Sequence, residues 1–121
     1  MFREMFLVTG LQKTVREDAS ACDAAEVLKM AAVNGARAMG LNDCDCLKKG
    51  KKADFIEIDL QQPNMQPQNH IAKNIVYAGS KQNIKRTVIN GKILYENGNF
   101  FVGETPEHIY KKVNEELSKM K

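Results

Sequence analysis

Residues Leu47 to Leu60, LKKGKKADFIEIDL, mark the point at which the character of the chain changes. A basic turn centred on Gly50 leads into a run in which Ile56, Ile58 and Leu60 alternate with acidic residues. This two-residue period predicts a strand with one buried face and one solvated face. Apolar residues before this stretch have helical spacing, and the sequence after it is rich in short strands and turns. The fold is therefore predicted outward from this boundary.

The first sixteen residues predict a helix, because their apolar residues recur at helical spacing along one broad side. The helix begins without a polar lead-in or a capping residue. We therefore expect the chain to be cut from a longer one, with Met1 an internal methionine.

Two further helices are predicted before the boundary. A helix over residues 21–32 is expected to start at a capping box formed by Ser20 and Asp23. An interruption follows, after which Asn34 is expected to cap a short helix over residues 35–39. Glycine at the next position is the expected terminator.

The second half of the chain predicts short strands and two helices. Asn90-Gly91 is a strong two-residue hairpin turn. Thr105 followed by Pro106 is typical of an N-cap and a first helical residue. The predicted elements are a strand over 54–60, a helix over 71–78, strands over 84–89 and 92–96, and a helix over 106–120. The fold class is therefore α+β.

The composition excludes several classes of partner. The chain has 121 residues and a net charge of +3 without a concentrated basic block, so we expect no nucleic-acid partner. No apolar run approaches the roughly 18 residues that span a bilayer, so we expect no membrane partner. An odd count of 3 cysteines argues against a disulfide framework and favours a cytoplasmic location.

The residues that could carry chemistry are few. Cys44 and Cys46 cannot complete a tetrahedral zinc site alone, and Cys22 and a histidine would have to join them. His70 and His108 lie far apart, each on a polar approach to a helix, which favours a capping or surface role. The sequence therefore predicts no catalytic, cofactor-binding or metal-binding residue.

Basic residues cluster at two places. The lysines of residues 48–52 could meet an acidic partner, but a solvated turn is the simpler interpretation. Lys81, Lys85 and Arg86 add positive charge near the hairpin without the interleaved aromatic residues that stack on bases.

Four ordered motifs resemble the amidohydrolase superfamily. Residues 26–41, EVLKMAAVNGARAMGL, resemble its helix EAL-x-MAT-x-NGA-x-ALGL, and residues 47–56 resemble its segment GSLEVGKKADLI. Residues 75–78 and 87–94 resemble the LVY and VIVNGK segments that follow. The most similar branch contains cytosine, guanine and methylthioadenosine/adenosylhomocysteine deaminases and triazine chlorohydrolases. The departure is Cys44-Asp45-Cys46, which is one residue shorter than the family's Ile-Gly-Ser region.

The resemblance implies a particular fold and a missing active site. Residues 1–46 would be the last helices of a (β/α)8 barrel, residues 47–103 the C-terminal strands of a small composite β-sandwich, and residues 104–121 a C-terminal helix. The family's metal-binding histidines and aspartate would precede this chain. The parent enzyme would use a divalent metal, zinc or iron, to activate water and deaminate a small-molecule substrate of nucleobase or adenosine type.

Two interpretations stay open. In the first, this chain is an inactive structural fragment of such an enzyme. In the second, it is a small α+β binding or assembly module without catalytic activity. In either case, exposed apolar surface predicts self-association, with a dimer expected.

Overall fold

The computed structural model describes residues 1–120, in which helices precede a four-stranded antiparallel sheet and a last helix follows it. The predicted α+β class is confirmed. The helices are α1 (Phe2–Arg16), α2 (Ala24–Lys29), α3 (Gly35–Ala38), α4 (Ile71–Ala78) and α5 (Pro106–Lys119). The strands are β1 (Phe55–Ile58), β2 (Ile84–Ile89), β3 (Lys92–Glu96) and β4 (Asn99–Phe100). A π-helical turn covers Met30–Asn34, and 3₁₀ turns cover Pro63–Met65 and Lys81–Asn83.

The main apolar core joins α1, α2 and α4. It is formed by five buried residues, Met5, Cys22, Ala24, Val27 and Val76. Phe2, Leu28 and Ile75 are partly buried against this core. The predicted first helix is confirmed, but only Met5 and Thr9 within it are buried, and the Thr9 hydroxyl donates to the Met5 carbonyl at 2.7 Å. Much of its apolar side is therefore exposed.

The second helix begins later than predicted. Cys22 has a φ of 54°, in the left-handed region, so the backbone cannot be helical there. Asp23 is instead the N-cap, and its carboxylate accepts from the backbone N–H groups of Ala25 and Glu26 at 2.7 and 3.0 Å. Ser20 donates to Asp18 rather than capping the helix. The predicted capping box was therefore wrong, because the polar turn forms its own local hydrogen bonds.

The predicted interruption after this helix was also wrong. The chain passes from α2 through the π turn directly into α3, and Asn34 stays in the right-handed helical region without a capping hydrogen bond. The extra residue of a π turn absorbs the Asn-Gly pair within one helical path. Gly40 ends this path with a φ of 73°, as predicted.

The sheet is an antiparallel meander in the order β1-β2-β3-β4. The hairpin between β2 and β3 matches the prediction, with Asn90 and Gly91 at φ values of 50° and 74°. On the central strand, Arg86 lies opposite Glu57 on one side and Glu96 on the other. The guanidinium group donates to Glu57 Oε2 at 3.0 Å and to Glu96 Oε1 at 2.8 Å, which fixes the register of three strands.

Strand β1 is shorter and more open than the alternating pattern predicts. It ends at Ile58, where the register with β2 shifts. Phe55 is 37% exposed and Ile56 is 47% exposed. Neither face of this strand is fully buried, so the predicted single buried face was wrong for the described residues.

Asn83 joins the helices to the sheet through a buried amide network. Its side chain is fully buried, and its Nδ2 donates to Gln62 Oε1 and to Asn64 Oδ1, both at 3.0 Å. Its Oδ1 accepts from Asn64 Nδ2 at 2.9 Å and from the Ser80 backbone N–H at 2.8 Å. Asn64 also donates to the Ala78 carbonyl at the end of α4. One side chain thus fixes the 62–64 turn, the end of α4 and the start of β2.

We expect Asn83→Ala to lower the free energy of unfolding by about 2 kcal/mol or more, since it leaves several buried polar groups without partners. Urea unfolding followed by circular dichroism measures this change. Gln82→Ala is the matched control, because the exposed side chain next to it should contribute no more than about 0.5 kcal/mol. Equal effects of the two substitutions would contradict the role of the network.

Candidate functional site

The junction loop, residues 41–54, contains a buried carboxylate. The Asp45 residue is 6% exposed, and its Oδ2 accepts from Arg37 Nε at 3.0 Å. Its Oδ1 accepts from Lys51 Nζ, which also donates to the Asn42 carbonyl at 2.9 Å. Two cations from opposite sides of the loop therefore compensate one buried charge, as burial of a carboxylate requires.

These contacts set the charge state of the loop. The hydrogen bond from Lys51 and then that from Arg37 lower the pKa of Asp45 to about 2. The same ion pair raises the pKa of Lys51 above its ordinary value. Asp45 is therefore ionised at neutral pH and accepts hydrogen bonds, so it cannot serve as a general acid there.

The loop is also held by bonds within itself and to the β2–β3 hairpin. The Lys52 backbone N–H donates to the Asp43 carbonyl at 2.8 Å, and Lys52 Nζ lies 2.7 Å from Asp43 Oδ2. At its far end, Asp54 Oδ1 accepts from the backbone N–H of Asn90 at 2.5 Å. The Gly91 N–H donates to the Ala53 carbonyl at 3.0 Å. These bonds connect the loop to the β2–β3 hairpin turn.

The three cysteines do not form one site. Cys22 is buried in the helical core, whereas Cys44 and Cys46 lie in the junction loop. Partial burial and then a hydrogen bond with Asp54 raise the pKa of Cys44. A raised thiol pKa keeps the group protonated and a poor nucleophile or metal ligand.

The two histidines lie on separate helices. His70 occupies the N-cap position of α4 without a side-chain capping bond, so only its position matches the expected capping role. His108 Nδ1 lies 2.9 Å from Glu104 Oε2 in the exposed first turn of α5. The surface role expected for His108 is confirmed.

The four lysines of residues 48–52 make different contacts. Lys51 and Lys52 pair with carboxylates of the same loop, while Lys48 and Lys49 are exposed. Lys48 and Lys49 therefore match the expected solvated turn, whereas Lys51 is partly buried in its pair with Asp45. Near the hairpin, Lys85 Nζ lies 3.6 Å from Glu57 Oε1, so charge there is also compensated within the sheet.

The described residues do not fit a metal centre. Within residues 1–120, no group of three or more His, Cys, Asp or Glu side chains comes together in a way that could hold an ion. The prediction that this chain supplies no metal ligand, cofactor contact or catalytic group stays a prediction. The same part of the chain contains no helix that is both long and apolar enough to cross a bilayer.

Sequence reasoning missed Asp45 and Asn83 as the two residues that organise the site and its support. Asn83 had a local signal, because Ser80 and Asn83 have the spacing of a capping box, and both reciprocal hydrogen bonds are present. Asp45 had a weaker one, because this acid is followed by four lysines within residues 48–52 and has Arg37 eight residues before it.

Comparison with known proteins identifies a family and relatives with similar sequences. The sequence model of the Amidohydrolase family matches residues 1–94. A 5-methylthioadenosine/S-adenosylhomocysteine deaminase of Moorella thermoacetica is 37% identical over 110 residues, which cover 90% of this chain and 26% of that protein. The corresponding enzyme of Bacillus cytotoxicus is 37% identical over 99 residues, or 81% of this chain and 23% of that protein.

Two solved structures are similar in fold. An adenosine deaminase from Xanthomonas campestris with bound zinc has a TM-score of 0.86 and 30% identity, covering 94% of this chain and 26% of that one. A triazine hydrolase variant has a TM-score of 0.83 at 22% identity, covering 94% of this chain and 25% of that one, and supports the fold alone. The chain spans about a quarter of the length of the relatives it matches.

The depressed pKa of Asp45 predicts a pH dependence. A carboxylate with a lowered folded-state pKa stabilises the fold above its unfolded value near 3.8, and this contribution is lost as the pH falls toward about 2. Wild type should therefore exceed Asp45→Asn in free energy of unfolding at pH 5 to 7, by a difference that shrinks from about pH 4 downward.

Urea unfolding across this pH range measures the difference. Asp43→Asn is the matched control, because its side chain is 52% exposed and its partner Lys52 is 48% exposed. We expect a smaller effect from an exposed pair. A pH-independent difference for Asp45→Asn would contradict the assigned ion pairs.

Proposed function

This chain belongs to the amidohydrolase family, and we propose that it is a structural C-terminal part of a metal-dependent deaminase-type hydrolase. The complete enzyme would hydrolyse a C–N bond other than a peptide bond, in a nucleobase or adenosine-type substrate. The names of the similar deaminases support this reaction class. The zinc bound in the adenosine deaminase supports a divalent metal, zinc or iron, in the complete enzyme. A cytoplasmic location belongs to the same proposal.

The observation that carries the structural role is the large open surface. The accessible area is 9137 Å², whereas a compact monomer of 13.6 kDa exposes roughly 6,600 Å². Exposed apolar side chains are found on α1, where Phe6, Leu7 and Leu11 are each more than half exposed. A helix with such a face needs a further layer to cover it. We assign that layer to the remaining part of the enzyme.

Within the complete enzyme, residues 1–46 would be the last helices of the (β/α)8 barrel and residues 47–103 the C-terminal strands of the composite β-sandwich. Residues 104–121 would form the C-terminal helix; Lys121 lies outside the described residues. The Asp45 ion pairs support this division of roles, because they join Arg37 before the boundary to Lys51 after it. The Asn83 network lies within residues 62–83 and organises the second part.

The assembly-module alternative rests on the same exposed faces. A module would use them for a separate partner, whereas an enzyme segment would bury them against its own chain. Activity in a completed chain separates the two proposals.

The test is a chimera in which this chain replaces the matching quarter of the Moorella thermoacetica relative. The chimera should bind zinc and release ammonia from 5-methylthioadenosine or S-adenosylhomocysteine. The chain alone, supplied with zinc, should bind no stoichiometric metal and release no ammonia above the uncatalysed rate. Metal analysis and an ammonia assay measure both expectations.

Two comparisons complete the experiment. The relative truncated before this segment is expected to be inactive, since its barrel and sandwich lack their last elements. A chimera carrying Asn83→Ala should lose activity in proportion to its fraction unfolded. A correctly folded, zinc-loaded chimera without ammonia release would overturn the proposal, as would turnover by the isolated chain.

A further inference from the structure

Helix α5 presents an apolar face that no described part of the chain covers. None of its residues is buried. At 100° per residue its apolar side chains fall within an arc of about 100° around the helix. They are Ile109, Tyr110, Val113 and Leu117, with the C-cap residue Met120, and their exposure ranges from 39% to 83%.

This face lies beyond the segment that the family model matches. The Amidohydrolase family match ends at residue 94, and α5 begins at Pro106. The N-terminal end of α5 is well formed. The Thr105 hydroxyl accepts from the His108 backbone N–H at 3.3 Å, and Lys112 pairs with Glu104 at 3.2 Å. A capped amphipathic helix of 14 residues with an open apolar stripe is suited to helix pairing.

We propose that α5 is a docking surface for α5 of a second copy of this chain, and that the two helices pair antiparallel about a two-fold axis. The axis passes between Asn114 and Glu115. It places Val113 beside the partner's Leu117 and Ile109 beside the partner's Met120, with axial offsets of about 1.5 Å or less. The surface is self-complementary, as a two-fold interface requires.

Charge complementarity selects this orientation. Lys112 and Glu116 border the same edge of the apolar arc, and a perpendicular two-fold axis brings that edge of both helices together. Lys112 of one chain then faces the partner's Glu116, and the same pair repeats on the other side of the axis. In a parallel pair this edge would face the edge that carries Glu107 and Asn114, and Lys112 would meet no carboxylate at its own level. The opposite-charge pairs therefore favour the antiparallel arrangement.

The apolar surface extends beyond the helix pair itself. The helix pair would be the centre of the contact, and neighbouring apolar residues such as Phe101 and Val102, which are 54% and 52% exposed, lie close to it in sequence.

Sedimentation of the 121-residue chain tests the apolar contact. Wild type should change from monomer to dimer as concentration rises. Val113→Asp should weaken dimerisation at least about tenfold, because it places a charge at the centre of an apolar contact. Ser118→Asp, which adds the same charge on the opposite side of the helix, should leave the association constant unchanged. Circular dichroism checks that both variants keep their helices.

A charge-swap pair tests the orientation. Lys112→Glu alone and Glu116→Lys alone should each dimerise more weakly than wild type, since like charges then face each other. A mixture of the two variants should restore association, because in the mixed dimer both edge pairs are again of opposite charge. The rescue occurs only between chains, so loss of the internal Lys112–Glu104 bond cannot imitate it. Lys111→Glu on the solvent side is the control and should have no effect.

Several results would overturn the inference. Monomeric wild type at all concentrations would do so, as would a dimer unaffected by Val113→Asp, which would place the contact on another face such as α1. Weak single variants without rescue in the mixture would exclude the antiparallel pairing. These measurements involve no substrate, so the inference can fail while the deaminase proposal stands, and the reverse.

Discussion

The buried amide of Asn83 is the constraint on which the rest of the structure depends. It forms hydrogen bonds with the 62–64 turn and with Ser80, while its backbone carbonyl accepts from the Asp59 N–H at 2.7 Å, just after β1. An amide supplies donors and acceptors on opposite sides of one small group, so it can satisfy both at a crowded junction. A carboxylate or a hydrophobic residue of similar size would leave part of that junction unpaired. The end of α4 and the start of β2 therefore take their relative position from one side chain.

In the sheet and in the junction loop, a charged side chain likewise joins two segments by pairing with an opposite charge on each. Arg86 lies between two glutamates, and Asp45 lies between two cations, so these charges are compensated inside the chain. The chain carries a net charge of +3, and several of its basic residues are paired with carboxylates within the structure. Under the proposed function, the polar residues of this segment hold its shape and the reacting groups lie in the remaining part of the enzyme.

Features set by local chemistry could be predicted from the sequence, and features set by distant contacts could not. The Asn90-Gly91 hairpin and the Thr105 cap followed the sequence closely, since turn geometry and capping depend on a few adjacent residues. The start of α2 was an exception, because several local polar groups competed: Ser20 bonds to Asp18, and Asp23 caps the helix instead. The burial of Asp45 could not be predicted from the sequence either, since it depends on Arg37 and Lys51 approaching from different segments. The alternating pattern of β1 indicated a strand but could not tell which layer covers it.

The core places Met5 against elements that include Val76, so its closure joins residues separated by about seventy positions. The β2–β3 hairpin needs only a two-residue turn, and β4 adds to it through a second short turn. Loop-closure entropy grows with the length of the loop, which favours early pairing of the meander and late closure of the helical core. During synthesis, α1 emerges before α4, so the core around Met5 closes only after residues 71–78 have been made.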